Sequence, residues 1–188
     1  MKHICVFGSS SESIERLYLD NAEELGAALV RRGYSVVYGA GKYGIMGAVA
    51  RGVKAEGGEL LGVSPDFFTE LDVLTEDYGE LLLTPTMRER KAVMEDKADA
   101  FVICAGGIGT LEEFFEVITL KQLGRHNKPI IILNTNGFYD PMIDMMDRSV
   151  AENFMSHNIH KLYSVASSVD EVFDLLENYT PFGYNKYD

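Results

Sequence analysis

The chain has 188 residues, 46% hydrophobic and 24% charged, the composition of one globular domain rather than a disordered or fibrous chain. Its net charge of -12, from 17 Lys plus Arg against 29 Asp plus Glu, argues against nonspecific binding to nucleic acid or an anionic membrane, since both need a basic surface. No apolar run reaches transmembrane length, and Met1-Lys2-His3 leads at once into Ile4-Cys5-Val6-Phe7 with no signal-peptide core, so a cytoplasmic protein with reduced Cys5 and Cys104 is expected.

Strand and helix patterns alternate along the whole chain. His3–Phe7 reads as a strand ending in Gly8-Ser9-Ser10-Ser11, and a helix of 3.6-residue apolar period runs from Ser13 to Arg32, with Gly33 as its stop. Ser35–Tyr38 is a second strand, followed by Gly39-Ala40-Gly41-Lys42-Tyr43-Gly44 and a helix over Ile45–Ala55. Leu60–Val63 is a third strand, 65–80 an irregular stretch with the makings of a short helix or lid, Leu81–Leu83 a strand and Thr86–Lys97 a helix. Then come the buried strand from Phe101 into Cys104, a helix over Leu111–Leu123, a strand at Ile130–Leu133, a helix over Pro141–Asn153, a short strand at Leu162–Val165 and a closing helix at Val169–Asn178. Strands separated by helices imply right-handed crossovers, and hence an α/β fold. We expect a doubly wound, Rossmann-like parallel sheet with helices on both faces, forming a single domain over 1–188.

In such sheets ligands bind at the carboxyl ends of the strands. Three glycine- or serine-rich loops fall there: Gly8–Ser11, Gly39–Gly44 and Gly106–Thr110. The strongest signal is Phe101–Glu116, where an apolar strand runs into Gly106-Gly107-Ile108-Gly109-Thr110 and then an acidic helix. Glycines admit a ligand close to the backbone, and the helix start offers free N–H groups and a positive dipole end, a recipe for binding phosphate. Glu112 and Glu113 would repel that phosphate, so they are expected to face another part of the same ligand. A purely structural account makes Thr110 and Glu113 a capping box.

Thr86 and Glu89 also have capping-box spacing, which leaves the cations of Met87-Arg88-Glu89-Arg90-Lys91 unexplained. Arg88, Arg90 and Lys91 crowd the start of a helix, where the dipole disfavours them, so an acidic partner or ligand is expected there. Gly39-x-Gly41-x-x-Gly44 satisfies a dinucleotide pattern, but Glu59 opens the next strand and Asp66 lies past its end, so neither is placed to hold a ribose. Nicotinamide binding is therefore not expected. His3, His126, His157 and His160 show no ligand spacing, and no metal site is expected.

Together these motifs resemble one family, LONELY GUY (LOG), often mislabelled lysine decarboxylase. Gly106-Gly107-Ile108-Gly109-Thr110-Leu111-Glu112-Glu113 is similar to its P-G-G-x-G-T-x-x-E hallmark, with Ala105 in place of the proline. Met87-Arg88-Glu89-Arg90-Lys91 is similar to M-H-x-R-K, with Arg88 in place of the histidine. Val37–Gly47 and Phe7-Gly8-Ser9-Ser10 also fit. The resemblance implies hydrolysis of the N-glycosidic bond of a purine nucleoside 5′-monophosphate, AMP or an N6-modified (cytokinin) AMP, giving free base and ribose 5-phosphate. It implies Arg90 and Glu113 as catalytic residues. Substrate contacts are implied at Ser9, Gly41, Met87, Lys91, Gly106, Gly107, Gly109, Thr110, Glu112 and Thr119, with Glu116 a further candidate. It also implies a homodimer, with the Thr86 and Leu111 helices as interface material, and no cofactor. The mislabel would call for pyridoxal phosphate, for which no lysine site is evident. The competing class is a non-catalytic carrier of a nucleotide-like anion, such as the molybdenum-cofactor carriers, which would not need Arg90 and Glu113 together.

Overall fold

A computed structural model describes residues 2–74 and 79–183. Seven strands form one parallel sheet: β1 (His3–Phe7), β2 (Ser35–Tyr38), β3 (Leu60–Pro65), β4 (Glu80–Thr84), β5 (Ala100–Ile103), β6 (Ile130–Leu133) and β7 (Ser164–Ala166), in the order β4-β3-β2-β1-β5-β6-β7. The chain winds outward from β1 to β4, crosses back to β5 and winds outward the other way. The reversal lies between β1 and β5, the place where such sheets bind ligands.

Among the described residues six helices cover the sheet: α1 (Arg16–Arg31), α2 (Gly44–Ala55), α3 (Met87–Lys97), α4 (Ile108–Gln122), α5 (Asp140–Ala151) and α6 (Val169–Glu177). Strand side chains alternate between two cores. Ile4, Val6, Ala100 and Val102 face α1, α2 and α6, while Cys5, Phe7, Phe101 and Ile103 face α3, α4 and α5. Burial on both faces explains why these strands read as continuous apolar runs. Cys5 and Cys104 are buried free thiols. On the first face α1 and α2 cross closely, because a Cβ at Gly26 would meet the Val49 backbone and one at Gly52 the Glu23 carbonyl.

Boundaries differ from expectation in informative ways. Gly33, at φ +81°, does follow the C-cap of α1, but α1 begins only at Arg16. The last strand is Ser164–Ala166, and Leu162 instead closes a 3-10 turn over His157–Lys161. In the 65–80 connection, Asp66–Leu71 is a 3-10 helix, while residues 75–78 lie outside the described residues. The largest shift is at α4, which begins at Ile108, three residues before Leu111. Its N-cap is Gly107 and no side chain caps it, so Thr110 lies inside the helix and forms no capping box with Glu113. Thr86 does cap α3, accepting a bond from the Glu89 N–H at 3.2 Å. Among the described residues, no helix is long and apolar enough to cross a membrane.

Candidate active site

The three loops at the carboxyl ends of β1, β2 and β5 close around one cavity of about 510 Å³. Gly8–Ser11 forms one side and Gly39, Gly41 and Tyr43 another, while Gly107–Thr110 and Glu113 form the third. Gly44 turns at φ +58°, which lets α2 start against the Ser9 and Ser11 carbonyls. At α4, Leu111 is the first residue whose N–H bonds back into the helix, reaching the Gly107 carbonyl at 3.0 Å. The N–H groups of Ile108, Gly109 and Thr110 precede it, in the turn that lines the cavity. A Cβ at Gly107 or Gly109 would meet nothing within 4 Å, so the space above the loop is open.

Beside this anion cradle lies a buried ion pair. Arg90 Nη1 donates to Glu113 Oε1 at 2.7 Å, and both residues line the cavity while only 7% and 8% exposed. Arg90 Nε donates to the Val63 carbonyl at 3.1 Å, which ties the guanidinium to β3. Gly39 gives it room, since a Cβ there would run into Nη2. Burial pushes the Glu113 carboxyl above the usual range, and the Arg90 charge and hydrogen bond oppose that rise. A charged carboxylate held in a half-dry cavity next to a phosphate-type cradle can stabilise a developing cation or orient a water.

The structure distributes the other expected site residues unevenly. Ser9, Gly41, Met87, Gly107, Gly109 and Thr110 line the cavity with the ion pair. Gly106 lies behind it, on a smaller hollow of about 330 Å³ that Ser9 and Gly107 share, and a Cβ at Gly106 would strike the Thr110 hydroxyl. Lys91, Glu112, Glu116 and Thr119 do not line the cavity. Lys91 is clamped by Glu112 and by Glu116, the latter at 2.6 Å, on the outer side of the α3–α4 contact. For Arg90 and Lys91 the acidic partner is thus α4 itself. Arg88 is exposed and lines no part of the cavity.

One wall had only a coarse signal in the sequence. The 3-10 helix and the strand-like stretch after it bring Phe68, Leu71, Val73 and Leu74 over the cavity. A bridge pairs Gly41 with Leu74, and Lys42 donates to the Val73 carbonyl at 3.0 Å and pairs with Asp72 at 2.7 Å. These contacts join distant segments, which is why composition alone could mark the stretch only as a possible lid.

A family model described as "Possible lysine decarboxylase" matches residues 46–176. The chain is 39% identical, over 96% of its length and 84% of the relative's, to cytokinin riboside 5′-monophosphate phosphoribohydrolase LOG2 of Arabidopsis thaliana. It is 42% identical, over 96% of its length and 74% of the relative's, to cytokinin riboside 5′-monophosphate phosphoribohydrolase LOG of Oryza sativa subsp. japonica. In fold it is similar to the molybdenum cofactor binding protein of Rippkaea orientalis, at TM-score 0.71 and 20% identity over 94% of this chain and 95% of that one. It is equally similar to the Moco carrier protein of Chlamydomonas reinhardtii, at TM-score 0.70 and 21% identity over 94% and 95% of the two chains. At that identity the likeness concerns the fold alone. A decarboxylase of the kind the family description names would hold pyridoxal phosphate on a lysine. Among the described residues no lysine lines the cavity, and Lys91, close by, is held by two carboxylates, so the site does not fit that group.

Proposed function

The chain belongs to the LONELY GUY (LOG) family of phosphoribohydrolases, and from that premise we propose that it hydrolyses cytokinin-type nucleoside 5′-monophosphates to free base and ribose 5-phosphate. The observation that carries this reading is the buried Arg90–Glu113 pair set beside the uncapped start of α4. The N–H groups of Ile108, Gly109 and Thr110, with the Thr110 hydroxyl, hold the 5′-phosphate. Ser9 and Gly41 border the sugar and base.

As the C1′–N9 bond breaks, positive charge develops on the ribose ring. The Glu113 carboxylate stabilises that charge and orients the water whose oxygen bonds to C1′. The base departs with the bonding electron pair and takes up one proton, while the attacking water gives up one proton as its oxygen bonds to C1′, so that one water is consumed. Arg90 holds Glu113 in place, keeps it ionised against the pull of burial, and polarises the nucleotide. Lys91, Glu112 and Glu116 form the charged layer behind the pair, and Thr119 extends the same helix beyond it.

The wall of Phe68, Leu71, Val73 and Leu74, with Met87, suits an apolar N6 substituent on adenine. Isopentenyl-AMP should accordingly be turned over with a higher kcat/KM than AMP. In this reading the protein is cytoplasmic and homodimeric. Incubation with each nucleotide, followed by chromatography of released base, tests the proposal: no base from either would sink the activity, and a preference for AMP would overturn the role of the apolar wall.

A further inference from the structure

The connection from β6 to α5 reaches back under the glycine loop. Asn134 Oδ1 accepts the Tyr139 N–H at 2.7 Å, while its Nδ2 donates to Asp140 Oδ1 at 2.7 Å. Asn136 and Gly137, at φ 54° and 69°, turn the chain so that Tyr139 enters the core and is 2% exposed. Its hydroxyl donates to the Cys104 carbonyl at 2.8 Å, and the Gly106 N–H lies close to the phenol oxygen. The Ala105 carbonyl in turn accepts the Ser9 N–H at 3.1 Å. One phenol therefore holds the peptide that enters Ala105, beside the peptide that leaves it, at the point where β5 becomes the cradle.

Packing alone would be served by phenylalanine, and a buried hydroxyl is tolerated only when bonded. Here the bond goes to a backbone carbonyl just past the end of β5. The loop beyond is rich in glycine and has Ala105 where the family motif has proline, so its own rigidity is low. We propose that Tyr139 is a positioning residue, holding Cys104 and Gly106 so that the N–H groups of Ile108–Thr110 are aimed at the substrate phosphate. This inference rests on the phosphate-cradle reading above. Tyr139 lines no part of the larger cavity and touches no reacting atom.

Tyr139→Phe keeps the ring and removes the grip. Calorimetric titration of wild type and variant with inorganic phosphate, ribose 5-phosphate and adenine separates the ends of the site. Both phosphate ligands should bind about tenfold more weakly to the variant, a loss of the size that small misplacement causes, while adenine binding stays within about twofold. In turnover the KM should rise more than kcat falls, and Ala105→Pro added to Tyr139→Phe should restore part of the phosphate affinity by stiffening the loop. Unchanged phosphate affinity, or an equal loss for adenine, would overturn the proposal and reduce Tyr139 to a packing residue. Wild-type protein that binds adenine but no phosphate ester would remove the cradle reading itself, and this inference with it. If Tyr139→Phe does not fold, Asn134→Ser, which loosens the backbone anchor of Tyr139 and leaves the phenol, carries the same comparison.

Discussion

At the scale of single residues, Glu113 has to be both buried and charged. Desolvation raises its carboxyl and Arg90 opposes the rise, so its ionisation is lost at a higher pH than an ordinary glutamate's. The acid limb of a kcat/KM profile should therefore lie above the usual carboxylate range. Glu113→Gln should cut kcat by roughly 10²–10⁴; its amide still accepts from Arg90 but no longer neutralises that buried guanidinium, so the melting temperature should also fall. Arg90→Ala differs: it leaves a buried carboxylate unpaired and should destabilise by about 3–5 kcal/mol, visible in denaturant melts. Gly109 inverts that pattern. With open space around its missing Cβ, Gly109→Ala should stabilise the helix by up to about 0.5–1 kcal/mol while lowering turnover at least tenfold by intruding on the phosphate. Turnover equal to wild type would place the phosphate elsewhere.

At the scale of elements, α3 and α4 pack with carboxylates on both sides of their contact. Burial, helped by the nearby Glu116 charge, pushes Glu95 up to about 7 from an ordinary 4.5, so the folded protein holds this proton more tightly than the unfolded chain. The associated stability is full below about pH 4.5 and is lost as pH rises through 7. Glu95→Gln should flatten the fall in melting temperature between about pH 4.5 and 7; an unchanged slope would show that Glu95 is not its source. The α1–α2 crossing carries a purely structural prediction. Gly52→Ala drives a methyl into the Glu23 carbonyl and should cost about 1–3 kcal/mol, with catalysis by the folded fraction intact. These elements were largely legible, since their apolar periods and stops lie in local sequence. The start of α4 was not: its first turn carries no side-chain cap, because the groups a cap would satisfy line the ligand cavity, and so the helix seemed to begin later.

At the scale of the whole molecule, the cavity rim is apolar. Ile108 is 82% exposed and Met87 40%, on the two helices expected to meet a second copy. Sedimentation equilibrium should give a dimer for the native chain and a shift toward monomer for Ile108→Lys; a monomeric native protein would refute the dimer.

The sequence by itself determined the alternation of strands and helices, the parallel sheet and the glycine loops at its carboxyl edge, because each is written in local period or residue type, while Arg90 and Glu113 stood out only through the resemblance to a known family. Only the tertiary structure decided that Glu113 pairs with Arg90 instead of capping its own helix, that Lys91 is neutralised by α4 and turned away from the cavity, and that Tyr139 reaches under the loop. The physical reason is the same in each case. The partners lie 23, 25 and 35 positions apart, and they meet because the sheet reverses its winding between β1 and β5 and brings α3, α4 and the end of β6 to one edge.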